Sequence, residues 1–464
     1  MRLDRLLGDV EVLDLRGDAT VEVSAVSYDS RAVRPGALFC CVRGERTDGH
    51  QYARAATSAG AVALLCERAL ALDVTQVVVA DVRTAMAHAA AAFHGHPSRQ
   101  LEVVGVTGTN GKTTTTHLLQ AVLEADGRRT GLIGTLSGAR TTPEAPDLQA
   151  QLAQLRDDDY RAVAMEVSSH ALAQHRADAT SFAVAVFTNL SQDHLDYHHT
   201  MEAYFQAKAR LFEAGRTAAA VVNTDDPHGR ILFDAAVVPT RGYSMADAVG
   251  LELGPRGSTF RWEGEPVRLQ VGGGFNVSNA LAAAAAAREL GVGAEAVAAG
   301  LSSVASVPGR FEIVEAGQSF TVVVDYAHTP SGLELLLADG RRIAGPGARV
   351  IVVFGCGGDR DRDKRPVMGA VATGYADVAV LTSDNPRHED PAAIIAEVRS
   401  GATGAGTLHV EPDRRAAIRL AFGEARTGDV VLIAGKGHET TQVVGRRELP
   451  FDDRVVAREE LAAR

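Results

Sequence analysis

The stretch from Val103 to Leu123, VVGVTGTNGKTTTTHLLQAVL, constrains the fold more than any other in the chain. Val103–Val106 reads as the end of a buried strand and His117 onward as a helix, with Gly108, Thr109, Asn110, Gly111, Lys112 and Thr113 between them. Glycines at such a junction let backbone N–H groups turn inward and approach an anion closely. The positive end of the following helix adds to the same field. Lys112 supplies a mobile positive charge for outer phosphates, and Thr113, followed by Thr114, can offer its hydroxyl to Mg²⁺. There is one departure from the general P-loop pattern, which puts four residues between its first glycine and Gly-Lys. That position is Val106 here, and Gly105 lies one residue too early. Gly-Lys-Thr at a strand-to-helix junction still favours nucleotide binding over an ordinary glycine-rich turn. The loop alone does not say whether the phosphate passes to water, a hydroxyl or a carboxylate.

At roughly 100–200 residues per domain, 464 residues imply two to four domains. Three blocks can be read. Residues 1–98 mix short strands (Glu22–Tyr28, Ala37–Val42, Gln76–Val79) with helical stretches such as Tyr52–Ala59, and close at the polar turn HGHPSRQ. Residues 99–306 hold the P-loop strand, then the apolar runs AVAMEVSS, FAVAVFTNL and AAAVVNTDD, each followed by a helical stretch. Alternation of this kind predicts a parallel sheet covered by helices. Gly250–Val271 reads as short antiparallel strands and Asn279–Leu290 as an alanine-rich helix. Residues 307–464 bring new buried strands at FTVVVDYA, ARVIVVFG, ADVAVLTSD and DVVLIAGKG. The expectation is an α/β protein of three domains: a small mixed α/β N-terminal domain, a central P-loop domain with a parallel sheet, and a Rossmann-like C-terminal domain.

A net charge of −11 argues against a general nucleic-acid surface, though not against small phosphate pockets. Cys40, Cys41, Cys66 and Cys356 show no C-x-x-C spacing, so they read as buried thiols rather than a zinc site or disulfide framework. No run approaches the roughly 20 apolar residues of a membrane span, and MRLDRLLGDVEVL lacks an apolar core of signal-peptide length. A cytoplasmic protein with no membrane partner is expected.

Further polar residues collect at strand ends, where open α/β sheets place ligands. Glu166 ends one buried strand, at the place of a Mg²⁺ ligand opposite a P-loop; the competing reading is a structural carboxylate, with Ser168 or Ser169 as a helix cap. Residues 187–212 gather Asp193, His194, Asp196, His198, His199 and Lys208. They could hold metal, while solvated caps and a snorkelling Lys208 are the commoner explanations. Arg360, Arg362, Lys364 and Arg365 form either a solvated run or an anion loop. With Asn385, Arg387 and Glu439 at neighbouring strand ends, they suit a small zwitterion: cations for its carboxylate, Glu439 for its ammonium.

These residues resemble the Mur ligases, the ATP-dependent enzymes that build the peptide stem of peptidoglycan, and within them the type that adds the third residue. The resemblance covers nearly the whole chain through SYDSR, TGTNGKTT, TTPEAPDLQ, MEVSSHALAQHR, FTNLSQDHLDYH, FNVSNALAA, PGRFE, DYAHTP, GCGGDRD, DNPR and GKGHE, in the family's order. The family's P-loop also lacks the strict four-residue spacing. Two stretches, 136–140 and 227–274, are shorter than in the family, and GERTDG at 44–49 is an unusual form.

The resemblance implies that ATP phosphorylates the terminal carboxylate of UDP-MurNAc-L-Ala-D-Glu and that an amine attacks the acyl phosphate. It implies Lys112, Glu166, His194 and Lys208 as catalytic residues, with Thr113, Glu166, His194 and Lys208 serving Mg²⁺ and Lys208 carbamylated. Asn279, Arg310, Asp325 and His328 would lie near the adenine, ribose or phosphates. Ser30 and Gly44, Glu45 and Arg46 would hold the UDP moiety; Thr141, Thr142, Ser168, Gln174 and Arg176 would hold the muramoyl peptide. Arg360, Asp384, Asn385, Arg387, Gly435 and Glu439 would form the amino-acid pocket, and in the family DNPR goes with meso-diaminopimelate. The resemblance further implies small-molecule partners and a monomer, with domain closure over the reactants. A lysine-adding or folylpolyglutamate- or cyanophycin-synthetase-like ligase, or a P-loop ATPase acting on a partner, are the competing readings. DNPR argues against lysine, and the third block's strand-end pockets argue against a bare ATPase.

Overall fold

In three successive blocks, the apolar runs that alternate with helical stretches form sheets. The computed structural model describes residues 1–464 except 45, 46, 139 and 255.

In the first block, strands Asp14–Arg16, Thr75–Val78, Ala63–Cys66, Ala37–Cys40 and Ala25–Ser27 lie in that spatial order. The last four are parallel, and the first is an antiparallel edge. Alternation along the strands divides the core, as a period of two requires. Leu38, Leu65 and Val77 face helix Val82–Phe93, whereas Phe39, Leu64 and Cys66 face Ala53 and Ala56 of helix Ala53–Ser58. The strand expected over Glu22–Tyr28 is confined to Ala25–Ser27, because Glu22 and Val23 pair with the N-terminal residues Arg2 and Met1 instead. All four cysteines are free and buried, as expected.

The central sheet has six parallel strands in the order Thr240–Tyr243, Thr217–Asn223, Phe182–Phe187, Glu102–Thr107, Ala162–Glu166 and Thr130–Ile133. From Glu102–Thr107 the chain goes to the edge strand Thr130–Ile133, returns inward with Ala162–Glu166, and then crosses to build outward on the other side through Phe182–Phe187, Thr217–Asn223 and Thr240–Tyr243. The C-terminal end of Glu102–Thr107 is therefore the switch point, where α/β sheets open a ligand crevice. Gly105 belongs to the strand rather than to the loop: a Cβ there would sit 2.7 Å from the Phe182 ring. It is a packing glycine, which accounts for its misfit to the P-loop spacing.

Two helices start earlier than expected. The P-loop helix runs Lys112–Ala125, not from His117, because all four threonines of Thr113–Thr116 are buried and the Thr116 hydroxyl donates back to the Thr113 carbonyl at 2.9 Å. Tertiary burial overrides their modest helix propensity. The alanine-rich helix runs Phe275–Glu289, beginning before Asn279, and its residues 279–287 are buried throughout. A helix apolar all round belongs inside a protein. It packs against the P-loop helix and the sheet. The antiparallel strands Val249–Gly254, Gly257–Trp262 and Glu265–Leu269 add Phe260, Trp262, Val267 and Leu269 to that core.

The third block has an antiparallel edge, Glu312–Ile313, then parallel strands Thr321–Asp325, Val430–Ala434, Val350–Phe354, Val378–Leu381 and Thr407–Val410. Helices Pro330–Ala344, Lys364–Tyr375 and Pro391–Ser400 cover one face, through Leu333, Leu336, Met368 and Ile394. Helices Arg414–Glu424 and Asp453–Ala462 cover the other, through Ile418, Ala421 and Val456. Among the described residues no helix is long and apolar enough to cross a membrane.

Candidate active site

The phosphate loop is preformed. Gly108 (φ +148°) and Gly111 (φ +90°) hold conformations open chiefly to glycine. A Cβ would lie 1.9 Å from the Thr188 hydroxyl at Gly108, and 2.2 Å from Asn279 Oδ1 at Gly111, so Asn279 packs directly on the loop. The loop is braced by the segment after the neighbouring strand. The Thr109 N–H donates to the Asn189 carbonyl and the Asn110 N–H to Asn189 Oδ1, both at 2.9 Å, and the Thr188 hydroxyl donates to the Asn110 carbonyl at 2.6 Å. Sequence reasoning missed these braces, although FTNLS marked their position.

Lys112 Nζ donates to the carbonyls of Gly108 and Thr109, each at 2.8 Å. Lys208 is not a snorkelling surface residue. Its side chain is buried, its Nζ lies 4.5 Å from the Tyr204 ring centroid, and it donates to the Gly108 carbonyl at 2.8 Å. Burial, with the Lys112 charge added, pushes the Lys208 amine well below the usual lysine range.

Glu166 is buried beside the loop. The Thr113 hydroxyl lies 3.0 Å from both of its oxygens, and the Thr135 N–H donates to Oε1 at 2.8 Å. A Cβ at Gly134 would come within 2.4 Å of Oε1, so that glycine leaves room for the carboxylate. His194 takes a left-handed backbone (φ +57°) and lies 3.5 Å from Asp193. Burial outweighs the Asp193 charge and pushes its imidazole down to about 3, which leaves the ring neutral at pH 7. Among the described residues no three His, Cys, Asp or Glu side chains form a ready metal cage. The donor set present still fits Mg²⁺: the Glu166 carboxylate and Thr113 hydroxyl are hard oxygens beside a phosphate loop. As an amine, Lys208 adds no oxygen to that set.

The third block closes onto this cluster. Arg310 donates through Nη2 to the Thr113 hydroxyl at 3.0 Å, with its guanidinium 4.3 Å from the Tyr326 ring centroid. Asp325 shapes the segment, accepting the N–H groups of Phe311 at 2.7 Å and Ala327 at 2.8 Å. His328 and the buried Lys364 approach Asp193 at 3.6 and 3.3 Å. Ser331 bonds Ser191 at 2.6 Å and accepts from Asn110 at 3.3 Å. Thus Asn279 and Arg310 touch the loop itself and His328 lies beside Asp193, while Ser331 and Lys364 were not foreseen in this cluster.

On the other side of Glu166, the Thr142 hydroxyl donates to the Glu166 carbonyl at 2.9 Å and accepts the Ser168 N–H at 3.0 Å. Ser168 caps helix Ser169–Ala173, while Thr141 reaches Thr135 at 3.0 Å. Gln174 accepts from Arg176 at 2.6 Å, and Arg176 meets the buried Glu144 at 3.0 Å. Glu144 also pairs with Arg140 and with Arg83 of the first block. Three guanidiniums around one carboxylate leave a surplus of positive charge beside Thr142. Sequence reasoning missed Glu144 and Arg83. Ser30 and Gly44 lie in loops of the first block, Gly44 donating to the Thr47 carbonyl at 2.8 Å; Glu45 and Arg46 lie outside the described residues.

The charge run at 360–365 is neither simply solvated nor a single anion loop. Arg365 is fully buried between Glu389 and Glu397, Arg362 pairs with Glu397, and Lys364 goes to Asp193. Among the described residues Arg360 has no carboxylate partner; its Nη1 donates to the Asp359 carbonyl. Arg387, also left-handed (φ +52°), donates to the Gly358 carbonyl at 2.7 Å; burial and the nearby Arg360 charge push it down. Asp384 accepts the Asn385 N–H at 2.6 Å and leaves no room for a Cβ on Gly435. Asn385 and Glu439, expected to serve opposite ends of a zwitterion, are bonded to each other at 2.7 Å.

Three family descriptions match the chain in order: "Mur ligase family, catalytic domain" over residues 22–100, "Mur ligase middle domain" over 106–287, and "Mur ligase, glutamate ligase domain" over 309–437. The UDP-N-acetylmuramoyl-L-alanyl-D-glutamate–2,6-diaminopimelate ligase of Geobacillus kaustophilus is 46% identical, over 99% of each chain. That of Streptomyces coelicolor is 45% identical, over 96% of this chain and 93% of its own. A solved structure described by the same enzyme name aligns over 100% of this chain and 99% of its own, at 33% identity and TM-score 0.69. The MurF ligase of Thermotoga maritima, at 20% identity and TM-score 0.65, shares the fold over 97% of this chain and 98% of its own.

Proposed function

The chain belongs to the Mur ligase family, and from that premise we propose that it is the ATP-dependent amide ligase that adds meso-diaminopimelate to UDP-MurNAc-L-Ala-D-Glu in peptidoglycan precursor synthesis. A carboxylate oxygen of the D-Glu residue attacks the γ-phosphorus of ATP and ADP leaves. The amine of diaminopimelate then attacks the acyl carbon through a tetrahedral intermediate, phosphate leaves, and the amine gives up a proton. The products are the UDP-MurNAc-tripeptide, ADP and phosphate.

Both steps place negative charge on phosphoryl or acyl oxygens, so positioning and fixed positive charge carry the catalysis. Lys112 exchanges its loop carbonyls for phosphate oxygens. Arg310, already on Thr113, joins it from the third block. Thr113 and Glu166 would hold one Mg²⁺ and His194 would help hold a second, and the ions would supply positive charge against the phosphate oxygens. The unprotonated Lys208 amine, which burial favours, adds carbon dioxide, forming an N–C bond and losing a proton, and the resulting carbamate would offer a metal the oxygens that the amine lacks. Support for this comes from its burial and depressed basicity. The positive surplus around Glu144 suits the carboxylates of the acceptor, with Thr141, Thr142, Ser168, Gln174 and Arg176 beside it. In this reading residues 1–98 hold UDP, 99–306 ATP and metal, and 307–464 the amino acid.

The single observation that carries the reading is the Arg387–Arg360 pair at the strand ends of the third block. Both side chains lie beside Gly357 and donate to backbone carbonyls, and together they would make a positive subsite for a distal carboxylate, which lysine lacks. A buried charged group left unpaired by the wrong substrate costs about 1–3 kcal/mol or more. The test is phosphate release with ATP, Mg²⁺ and UDP-MurNAc-L-Ala-D-Glu, offering meso-diaminopimelate or L-lysine in parallel. Release that needs the dipeptide and strongly prefers diaminopimelate is expected. Equal use of lysine removes the role given to Arg387, and release indifferent to dipeptide and amine removes the ligase.

A further inference from the structure

Lys436 lies in AGKGHE, beyond strand Val430–Ala434, and its side chain is fully buried. An ammonium has three N–H donors, and all three are used here. They go to Glu439 Oε2 at 2.8 Å, the Thr441 carbonyl at 2.6 Å and Asn385 Oδ1 at 3.2 Å. With no donor left and no exposure, Lys436 cannot touch a substrate. What it does is fix two groups that can.

The first is the Asn385 amide. Its Oδ1 accepts from Lys436 and from the Val443 N–H at 2.9 Å, so oxygen rather than nitrogen must face those donors. The Nδ2 is thereby turned the other way, giving one hydrogen to Glu439 at 2.7 Å, the other having no partner among the described residues. The second is Glu439. Oε2 takes both Lys436 and Asn385, which leaves Oε1 as the acceptor for an incoming cation.

The same ammonium joins three separate segments: the turn at 383–391, the turn at 435–439 and the hairpin Thr441–Val444/Arg447–Pro450. That hairpin reaches back to Arg387. The Arg387 N–H donates to the Val443 carbonyl at 3.0 Å, and the Gly445 N–H donates to the Arg387 carbonyl at 2.6 Å. The left-handed backbone of Arg387 is thus held from the hairpin side.

We propose that Lys436 is the positioning residue of the amino-acid pocket. It sets Asn385 to present a donor and Glu439 to present an acceptor, and it pins the hairpin that holds Arg387. The geometry makes it a determinant of which amine is accepted, though it contacts none. This rests on the reading of the third block as the amino-acid site.

Lys436→Met keeps the length and removes the donors. The KM for meso-diaminopimelate should rise about tenfold or more, the equivalent of losing one charged hydrogen bond. The preference over L-lysine should fall by a similar factor. The KM values for ATP and dipeptide should stay within about twofold, since one shared network is lost and no other site is touched. Acyl phosphate formed without amine, trapped by borohydride reduction, should persist. Lys436→Gln retains a donor and should fall between wild type and Met; it is read by the same criteria should Lys436→Met not fold. An unchanged KM for diaminopimelate, or an equal loss for all three substrates, overturns the proposal. Indifference of the wild-type enzyme to diaminopimelate would instead remove the pocket assignment, a distinct result.

Discussion

Lys112 and Lys208 donate to one acceptor, the carbonyl oxygen of Gly108, each at 2.8 Å. Two ammonium groups on one carbonyl repel; burial lowers the basicity of both, and Lys208, pushed well below the usual lysine range, loses it to burial first and to Lys112 second. A lysine whose basicity is lowered has more of the unprotonated amine that attacks carbon dioxide. Lys208→Arg keeps a cation but cannot form a carbamate. It should lower kcat by at least about a hundredfold while nucleotide binding changes little, since removing a group that completes a metal site costs this much or more. Incorporation of ¹³C-labelled bicarbonate, seen as a carbamate carbonyl signal, should be present in the wild type and lost in the variant.

Glu166 faces the Thr113 hydroxyl with both oxygens at 3.0 Å, so Glu166→Gln tests charge with little change of shape. The Thr135 N–H still finds an acceptor in the glutamine. The fold should persist, and Mg²⁺-dependent turnover should fall about a hundredfold or more, as expected for a lost charge-assisted contact at a transferring phosphate. Chelation of divalent metal should abolish wild-type turnover and be reversed by added Mg²⁺.

Gly111 combines a positive φ with the contact to Asn279. Gly111→Ala should weaken ATP about tenfold, because a left-handed side chain costs roughly 1–2 kcal/mol before any clash. Gly127 has φ +80° and nothing within 4 Å of a Cβ, so Gly127→Ala carries the strain alone. It should lower the Tm without changing nucleotide affinity measured by titration calorimetry.

Asp178 reports on pH. Burial alone would raise its carboxyl, but the His175 N–H at 2.7 Å and the Arg216 guanidinium at 2.7 Å hold it well below the usual carboxylate range. A carboxyl depressed on folding stabilises above its unfolded pKa of about 3.9 and loses that stability as pH falls through the folded value. Asp178→Asn should therefore cost about 3 kcal/mol at pH 7, with the gap in Tm narrowing steadily below about pH 4. A constant gap across that range would remove the assignment of the stability to the charge.

Arg414 and Asp453 form a two-pronged ion pair in the core, at 2.8 and 2.7 Å, with no exposure of either side chain. Asp453→Asn strands a buried cation and should cost about 3–5 kcal/mol, whereas replacing both by apolar residues of similar volume should be far milder. Arg414 also donates to the Ala434 carbonyl at 2.9 Å, one residue before Gly435. The double variant should thus regain most of the Tm yet still raise the KM for the amine.

The sequence by itself determined whatever depends on near neighbours. Strand–loop–helix alternation, the glycines of the phosphate loop, the Lys112 and Thr113 pair and the all-apolar helix are local patterns with local physical causes. The polar groups at strand ends could be placed because open parallel sheets put ligands there. Only the tertiary structure decided what each polar group bonds to, since that depends on which distant segments meet. Thr113–Thr116 became helical because burial overrode propensity. Lys208 proved buried on a carbonyl 100 residues away in sequence, and Lys364 reached Asp193 across 171. The run at 360–365 split among four different roles once Glu389, Glu397 and Asp193 were brought beside it. Asn385 and Glu439 turned out to share one buried ammonium, a partnership that no spacing encodes, because desolvation and hydrogen-bond geometry act through space rather than along the chain.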